Sequence, residues 1–324
     1  MFLHMLPAES FHNKRLDIFT PDCLIPAVRL AVRGLNALIV LLLLSGCTNL
    51  VFQPMRPHFT SPDAYGILYE DVYIKTDDNI TLHGWKLLAG DTGAGNIVAG
   101  DNTNGSILFF HGNGENISTH FANVAWLTRY GFDVYLFDYR GYGKSGGWPQ
   151  LDAVIADLEP MYAYAIGQLP EQEKLTVIGH SLGGSLAIYS VAHSGYRHRI
   201  KSLITVEAFS DYHEVAQDML STSWLTWLFQ WPLSFTIDNT YSPLEVVAKV
   251  SPVPLLIMHS EQDELIPLYH AQALYAAAYE PKKLQLVDSD HNHVFNRKEN
   301  RELLLGYLLK DLPVLDGERF KQAQ

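Results

Sequence analysis

Only two of the 324 residues are cysteine, Cys23 and Cys47, and both fall in the first fifth of the chain. No disulfide framework can hold such a fold together, so its core must stand on packing. Positive charge is also scarce: 23 Lys plus Arg face 35 Asp plus Glu, a formal net charge of −12 at pH 7. No basic surface is available to neutralise a phosphate backbone, which argues against nucleic acid as a partner. No G-x-G-x-x-G follows a strand-like run, there is no P-loop, and the histidines are scattered without metal-ligand spacing. Neither a cofactor nor a metal is therefore expected. What is present is ordinary globular composition, 48% hydrophobic and 18% charged, over a length that holds one large or two modest domains.

Residues 37–44 read ALIVLLLL, preceded by Arg29 and Arg33 and followed by Ser45-Gly46-Cys47. The run is well short of the roughly 20 apolar residues that span a bilayer. A basic flank, a short apolar segment and small residues before a cut site are instead the parts of a signal peptide. Leu44-Ser45-Gly46-Cys47 resembles a bacterial lipobox, which implies cleavage before Cys47, lipidation of that cysteine and a lipid-anchored place in the cell envelope. Thr48, which is not the aspartate of inner-membrane retention, points to the outer membrane, facing the periplasm. The expected organisation is a signal segment 1–46 and a mature domain 47–324. That domain carries 19 basic and 32 acidic side chains, so acyl chains and not surface charge would hold it to a membrane.

Along the mature chain, strand-like runs alternate with helix-like runs, the pattern of a mostly parallel sheet covered by helices. Residues 69–76 and 81–88 alternate apolar with polar around Asp77-Asp78-Asn79 and predict an antiparallel hairpin at a sheet edge. A polar, glycine-rich surface loop follows at 89–105. Short apolar runs at 106–110, 132–137, 175–178, 203–206, 255–259 and 284–287 predict buried strands. Ile117, Phe121, Val124 and Leu127 predict a helix over 116–130 that stops at Gly131, and a second helical stripe from Leu151 to Ile166 should kink at Pro160. Residues 209–250 are too long for an ordinary connection and predict a cap insertion. Trp224, Trp227, Leu228 and Trp231 fall on one helical face there; such a face usually packs on the domain below, and otherwise lines an acyl pocket or dips into a bilayer.

The chemistry concentrates after the strand-like run 174–178, where Gly179-His180-Ser181-Leu182-Gly183-Gly184 leads into a helix-compatible run. Strand, sharp turn and helix are the context in which G-x-S-x-G exposes a serine hydroxyl over a helix N-terminus. A serine hydroxyl needs a base and an orienting carboxylate. Downstream, one strand-like run ends in Ser260-Glu261-Gln262-Asp263-Glu264, and another in Asp288-Ser289-Asp290-His291-Asn292-His293. Acid candidates are Asp263, Glu261, Glu264 and, after an earlier strand, Glu207; base candidates are His291 and His293.

Three motifs, His111-Gly112-Asn113-Gly114, Asp138-Tyr139-Arg140-Gly141-Tyr142-Gly143 and Gly179 to Gly184, in this order and spacing, resemble the α/β-hydrolase superfamily. The closer likeness is to its serine aminopeptidase-like and carboxylesterase-like branch. The resemblance covers about 69–309 and implies an α/β-hydrolase fold with a small helical cap. It implies a triad of Ser181, Asp263 (from Asp263-Glu264-Leu265-Ile266-Pro267) and His291 (from Asp290-His291-Asn292), with the oxyanion held by the backbone amides of Leu182 and Asn113. His111 should brace the oxyanion loop. The expected activity is hydrolysis of a small-molecule or lipid-like ester, or of a thioester or amide, through an acyl-enzyme. Two alternatives stand beside it: an aminopeptidase-like amide hydrolase, and a non-catalytic lipoprotein that uses the fold as a binding module.

Overall fold

The structure, a computed structural model, describes residue 34 and residues 51–90, 103–222 and 226–310. Cys47 and, apart from Gly34, the expected signal segment 1–46 lie outside the described residues, as do residues 91–102 of the polar loop and Trp224. Every element named below belongs to the unit Cys47–Gln324.

The chain opens with the expected hairpin, β1 (Tyr69–Lys75) and β2 (Thr81–Leu87), antiparallel and closed by Thr76, whose carbonyl accepts from the Asn79 amide at 2.9 Å. Then come β3 (Gly105–Phe110), α1 (Ile117–His120), β4 (Phe132–Phe137), α2 (Leu151–Gly167), β5 (Leu175–His180), α3 (Leu182–His193) and β6 (Ile200–Val206). The insertion supplies α4 (Tyr212–Ser221), α5 (Gln230–Ser234) and α6 (Pro243–Val246). The chain returns to the sheet with β7 (Leu255–Ser260), α7 (Tyr269–Ala277), β8 (Lys282–Val287) and α8 (Lys298–Leu309). The sheet has eight strands in the order β1-β2-β4-β3-β5-β6-β7-β8, parallel from β4 through β8 and antiparallel at the β1 edge. This is the α/β-hydrolase fold that the three motifs implied.

The central strands read as continuous apolar runs because both faces are covered. In β4, Val134 and Leu136 enter one core layer, whereas Tyr135 and Phe137 enter the other. In β7, Leu255 and Ile257 part from Leu256 and Met258 in the same way. One layer holds α2 and α3, the other α8 and the segment after β3; each fully buried Leu, Ile or Phe in them contributes about 1.5–3 kcal/mol.

Two local expectations are corrected. The single helix over 116–130 is instead α1 followed by two 3₁₀ turns, Phe121–Asn123 and Ala125–Tyr130. Asn116 does cap its start, accepting from the Ser118 amide at 2.9 Å, and Gly131 ends it at φ +78°. However, Phe121, Val124 and Leu127 recur every three residues, the 3₁₀ period, and all three are buried only if the turn tightens. The tryptophan segment is also not one helical face packed on the domain below. It is a 3₁₀ turn, Trp227–Phe229, joined to the five-residue α5, which sets Ser234 against α4 and leaves Trp227, Leu228 and Trp231 exposed. As for α2, it runs from Leu151 to Gly167 with Pro160 inside it.

Candidate active site

The site is built at the carboxyl ends of β5, β7 and β8, where an open α/β sheet gathers side chains from different strands. Ser181 stands between β5 and α3 with φ +53° and ψ −121°, a backbone strained for a non-glycine residue. The turn closes because its neighbours lack side chains. A Cβ on Gly179 would sit 2.4 Å from the Gly183 carbonyl oxygen, and one on Gly183 would sit 2.1 Å from that of Phe110. The Ser181 amide donates to Val206 O at 2.8 Å, so the strained residue is held by the sheet itself.

The turn aims the Ser181 hydroxyl at His291, whose Nε2 lies 3.0 Å from Oγ, and Nδ1 of the same ring lies 2.7 Å from Asp263 Oδ2. The other Asp263 oxygen accepts the amides of Leu265 and Ile266 at 2.8 and 2.9 Å. Burial alone would raise the Asp263 pKa; the hydrogen bond and charge of His291, with support from Glu207 and the Ile266 amide, bring it down to about 2. With the carboxylate charged and bonded to Nδ1–H, Nε2 is left as the acceptor, so the imidazole can take the hydroxyl's proton while Asp263 stabilises the resulting cation. Thus the structure brings together Ser181, His291 and Asp263. It does not bring in His293, which is exposed and bonded to Asp290 at 2.7 Å, nor the exposed Glu261 and Glu264.

Leu182 and Asn113 both border the cavity in front of Ser181. The loop carrying Asn113 is braced from below: its side-chain oxygen accepts from the amides of Gln53 and Gly114, each at 2.8 Å, and from the Tyr142 hydroxyl at 3.0 Å. His111 stacks on Tyr139 at 4.1 Å, and the Tyr139 hydroxyl donates to the His111 carbonyl at 2.9 Å. Burial lowers the His111 pKa to about 3, so its ring is a neutral prop.

Two roles escaped the sequence reading of the site. His180, the residue before Ser181, donates from Nε2 to the His291 carbonyl at 2.9 Å, and burial lowers its pKa to about 3. It ties the turn that carries the hydroxyl to the loop that carries the imidazole. Glu207, weighed from sequence as a rival acid, lies instead behind Asp263. It follows β6 at φ +52°, is fully buried, and accepts from the Ser260 amide at 3.0 Å. Burial, with the neighbouring Asp263 carboxylate adding to it, pushes its pKa up to about 10, so it is a neutral acid that donates to Asp263. A carboxyl at the end of a buried strand is the one sequence signal both acids share.

The cavity measures about 230 Å³. The hydroxyl, His120 and the Gly112–Asn113 loop occupy one wall; Phe209, Tyr212, Val215, Ala216, Met219, Ile237 and Ile266 make the rest almost wholly apolar. Among the described residues, Trp227 and Trp231 are not part of the lining, whereas Tyr212, Val215, Ala216 and Met219 of α4 are. Among the described residues two trios could offer ligands to a metal, His58–His83–Asp138 and Glu207–His259–Asp263. In the first, His58 and His83 already share Asp138 Oδ2 at 2.9 and 3.1 Å, and in the second Asp263 is engaged with His291.

Comparison with known proteins agrees with this fold. Residues 101–243 match the family model described as serine aminopeptidase, S33. The uncharacterized protein YfhR of Escherichia coli O157:H7 is 32% identical over 289 residues, covering 85% of this chain and 94% of its own. The chain belongs to the YfhR family of α/β hydrolases. This hydrolase is also 26% identical to the Arabidopsis thaliana α/β hydrolase domain-containing protein WAV2, over 74% of this chain and 78% of that one. Among solved structures, the Pyrococcus furiosus esterase Pf2001 superposes with a TM-score of 0.63 at 22% identity, covering 80% of this chain and 98% of its own, a likeness of fold.

Proposed function

We propose that this hydrolase cleaves carboxylic esters through an acyl-enzyme formed on Ser181. The observation that carries the reading is the unbroken chain from Ser181 Oγ to His291 to the ionised Asp263. Ser181 attacks the ester carbonyl as His291 Nε2 takes its proton. The amides of Leu182 and Asn113 hold the oxyanion, each contributing about 3 kcal/mol to the transition state. His291 then protonates the departing alcohol, and a water activated by the same ring releases the acid. Esters are favoured over peptides because, among the described residues, the cavity wall carries no carboxylate to hold a free amino terminus. The esterase name of the Pf2001 neighbour points the same way. A binding module would gain nothing from an aligned hydroxyl, imidazole and carboxylate.

The lipobox-like Leu44-Ser45-Gly46-Cys47 supports an envelope protein held by acyl chains on Cys47, in the outer membrane and facing the periplasm. The decisive experiment labels the full chain with a fluorophosphonate probe beside Ser181→Ala and His291→Ala. Labelling confined to the wild type, with turnover of p-nitrophenyl esters, is expected. A folded wild-type protein that takes no label would overturn the reading in favour of a binding module.

A further inference from the structure

Residues of the cap insertion and Val51 and Gln53 from the start of the domain line one cavity. From Met219 to Ile237 the sequence contains no Asp, Glu, Lys, Arg or His over 19 residues, in a chain whose charged fraction is 18%. Both ends of that segment line the cavity, so the uncharged stretch leaves the cavity wall and returns to it. Between them Trp227, Leu228, Trp231 and Phe235 are 55–70% exposed. Four large apolar side chains this close in sequence and this open to solvent are not the scattered single residues of an ordinary surface. Met219 and Leu265 each line the cavity and are also more than 40% exposed, so apolar side chains stand both inside the cavity and at its rim.

We infer that Trp227, Leu228, Trp231 and Phe235 form a face that rests in the surface of a lipid bilayer, and that acyl esters enter the cavity from that bilayer across Met219 and Leu265. Two observations choose lipid over a protein partner. Tryptophan beside Leu and Phe, without charge, is the composition of monotopic surfaces that sit at the headgroup level. No helix among the described residues is long and apolar enough to cross a membrane. Val51 and Gln53, which line the same cavity, follow the apolar run 37–44 by only a few residues. Four residues from Cys47 to Val51 reach about 14 Å at full extension. The acyl chain proposed above on Cys47 would therefore hold the cavity near the bilayer. The net charge of −12 selects neutral or zwitterionic lipid over anionic lipid.

The entry of substrate rests on the serine-hydrolase reading; the bilayer contact does not. The test uses the full chain on phosphatidylcholine vesicles in which part of the lipid carries bromine on its acyl chains. All six tryptophans lie at or beyond Trp85, so quenching reports the folded domain and not the apolar run near the N-terminus. Strong quenching is expected in the wild type, falling at least about twofold in the Leu228→Asp/Phe235→Asp double variant, which keeps every tryptophan. Turnover of a long-chain ester embedded in the vesicle should drop on the order of tenfold in that variant, while turnover of soluble p-nitrophenyl butyrate, which also reports folding, stays within about twofold. Absent quenching in the wild type, or equal quenching in both proteins, overturns the bilayer contact. A two-copy mass with no quenching assigns the face to a second copy of the chain, and also overturns it. Quenching as expected in a protein that takes no fluorophosphonate keeps the contact and removes the ester entry with the hydrolase reading.

Discussion

Replacing Glu207 by glutamine should stabilise the protein, and should do so increasingly as pH rises. Glu207 has a folded pKa of about 10 against 4.5 when free, because its carboxyl is buried beside the Asp263 carboxylate. Between those values the folded state holds a proton that the unfolded state releases, so stability falls with pH at up to about 1.4 kcal/mol per unit. At pH 7 the accumulated cost is about 3 kcal/mol, from 2.5 units at 1.36 kcal/mol each. Glutamine presents the same shape, keeps a donor for Asp263 and an acceptor for the Ser260 amide, and has no proton to lose. Asp263 does not blur the measurement. Its pKa is depressed to about 2, so its stabilisation is complete above 3.8 and is lost only as pH falls towards 2. His111 and His180, both with folded values of about 3, tilt the wild type the other way below pH 6.5 but cancel in the difference between the two proteins. Urea unfolding of wild type and Glu207→Gln should show a gap widening by about 4 kcal/mol from pH 5 to pH 8. Parallel stability curves over that range would refute a protonated Glu207.

Three further outcomes are expected. His291→Ala should lower kcat for p-nitrophenyl esters by on the order of 10⁴-fold, whereas His293→Ala should stay within about twofold, since His293 is exposed and bonded only to Asp290; comparable losses in both would move the base. Gly183→Ala should leave no soluble folded protein on expression, because its Cβ would fall 2.1 Å from the Phe110 carbonyl oxygen; a folded, active variant would show that the turn can open. Arg140→Met should cost about 3–5 kcal/mol in chemical denaturation by stranding Asp157, which is buried and receives the guanidinium Nε at 2.6 Å; the loss should shrink at low pH, because burial already raises the Asp157 pKa and its protonation removes the stranded charge.

Much of the fold was legible because local pattern and global layering agree in it. Both faces of the sheet are covered, so its strands announce themselves as apolar runs, and the turn at Asp77-Asp78-Asn79 marks its one antiparallel edge. The serine turn was equally open to reading, since Gly179 and Gly183 are demanded by backbone approaching backbone within a few residues. The residues from 116 to 130 were read with the wrong period: three-residue and helical spacing differ little over two turns, and only burial against β2, β3 and α8 selects the tighter one. The tryptophan segment misled in a different way. A hydrophobic stripe says that a surface is apolar and not what it faces, and the break into a 3₁₀ turn and α5 rotated it outward.

By itself the sequence determined what is local: the strand runs, the strained serine with its glycines, the hairpin, and the presence of acid and base candidates after successive strands. Only the tertiary structure decided what depends on distances between segments that are far from being neighbours in the chain. Between the two histidines that the residues alone left open, it set His291 on the serine, as the Asp290-His291-Asn292 likeness implied, because that ring points to Ser181 Oγ at 3.0 Å while the other turns to Asp290. It put Glu207 behind Asp263 as a proton-bearing partner, and it set α4 along the cavity wall while Trp227 and Trp231 face solvent. The physical reason is common to all three. Residue type and spacing set what a side chain can do, but burial, partner and protonation state are properties of its neighbours, and those neighbours meet only when the sheet closes.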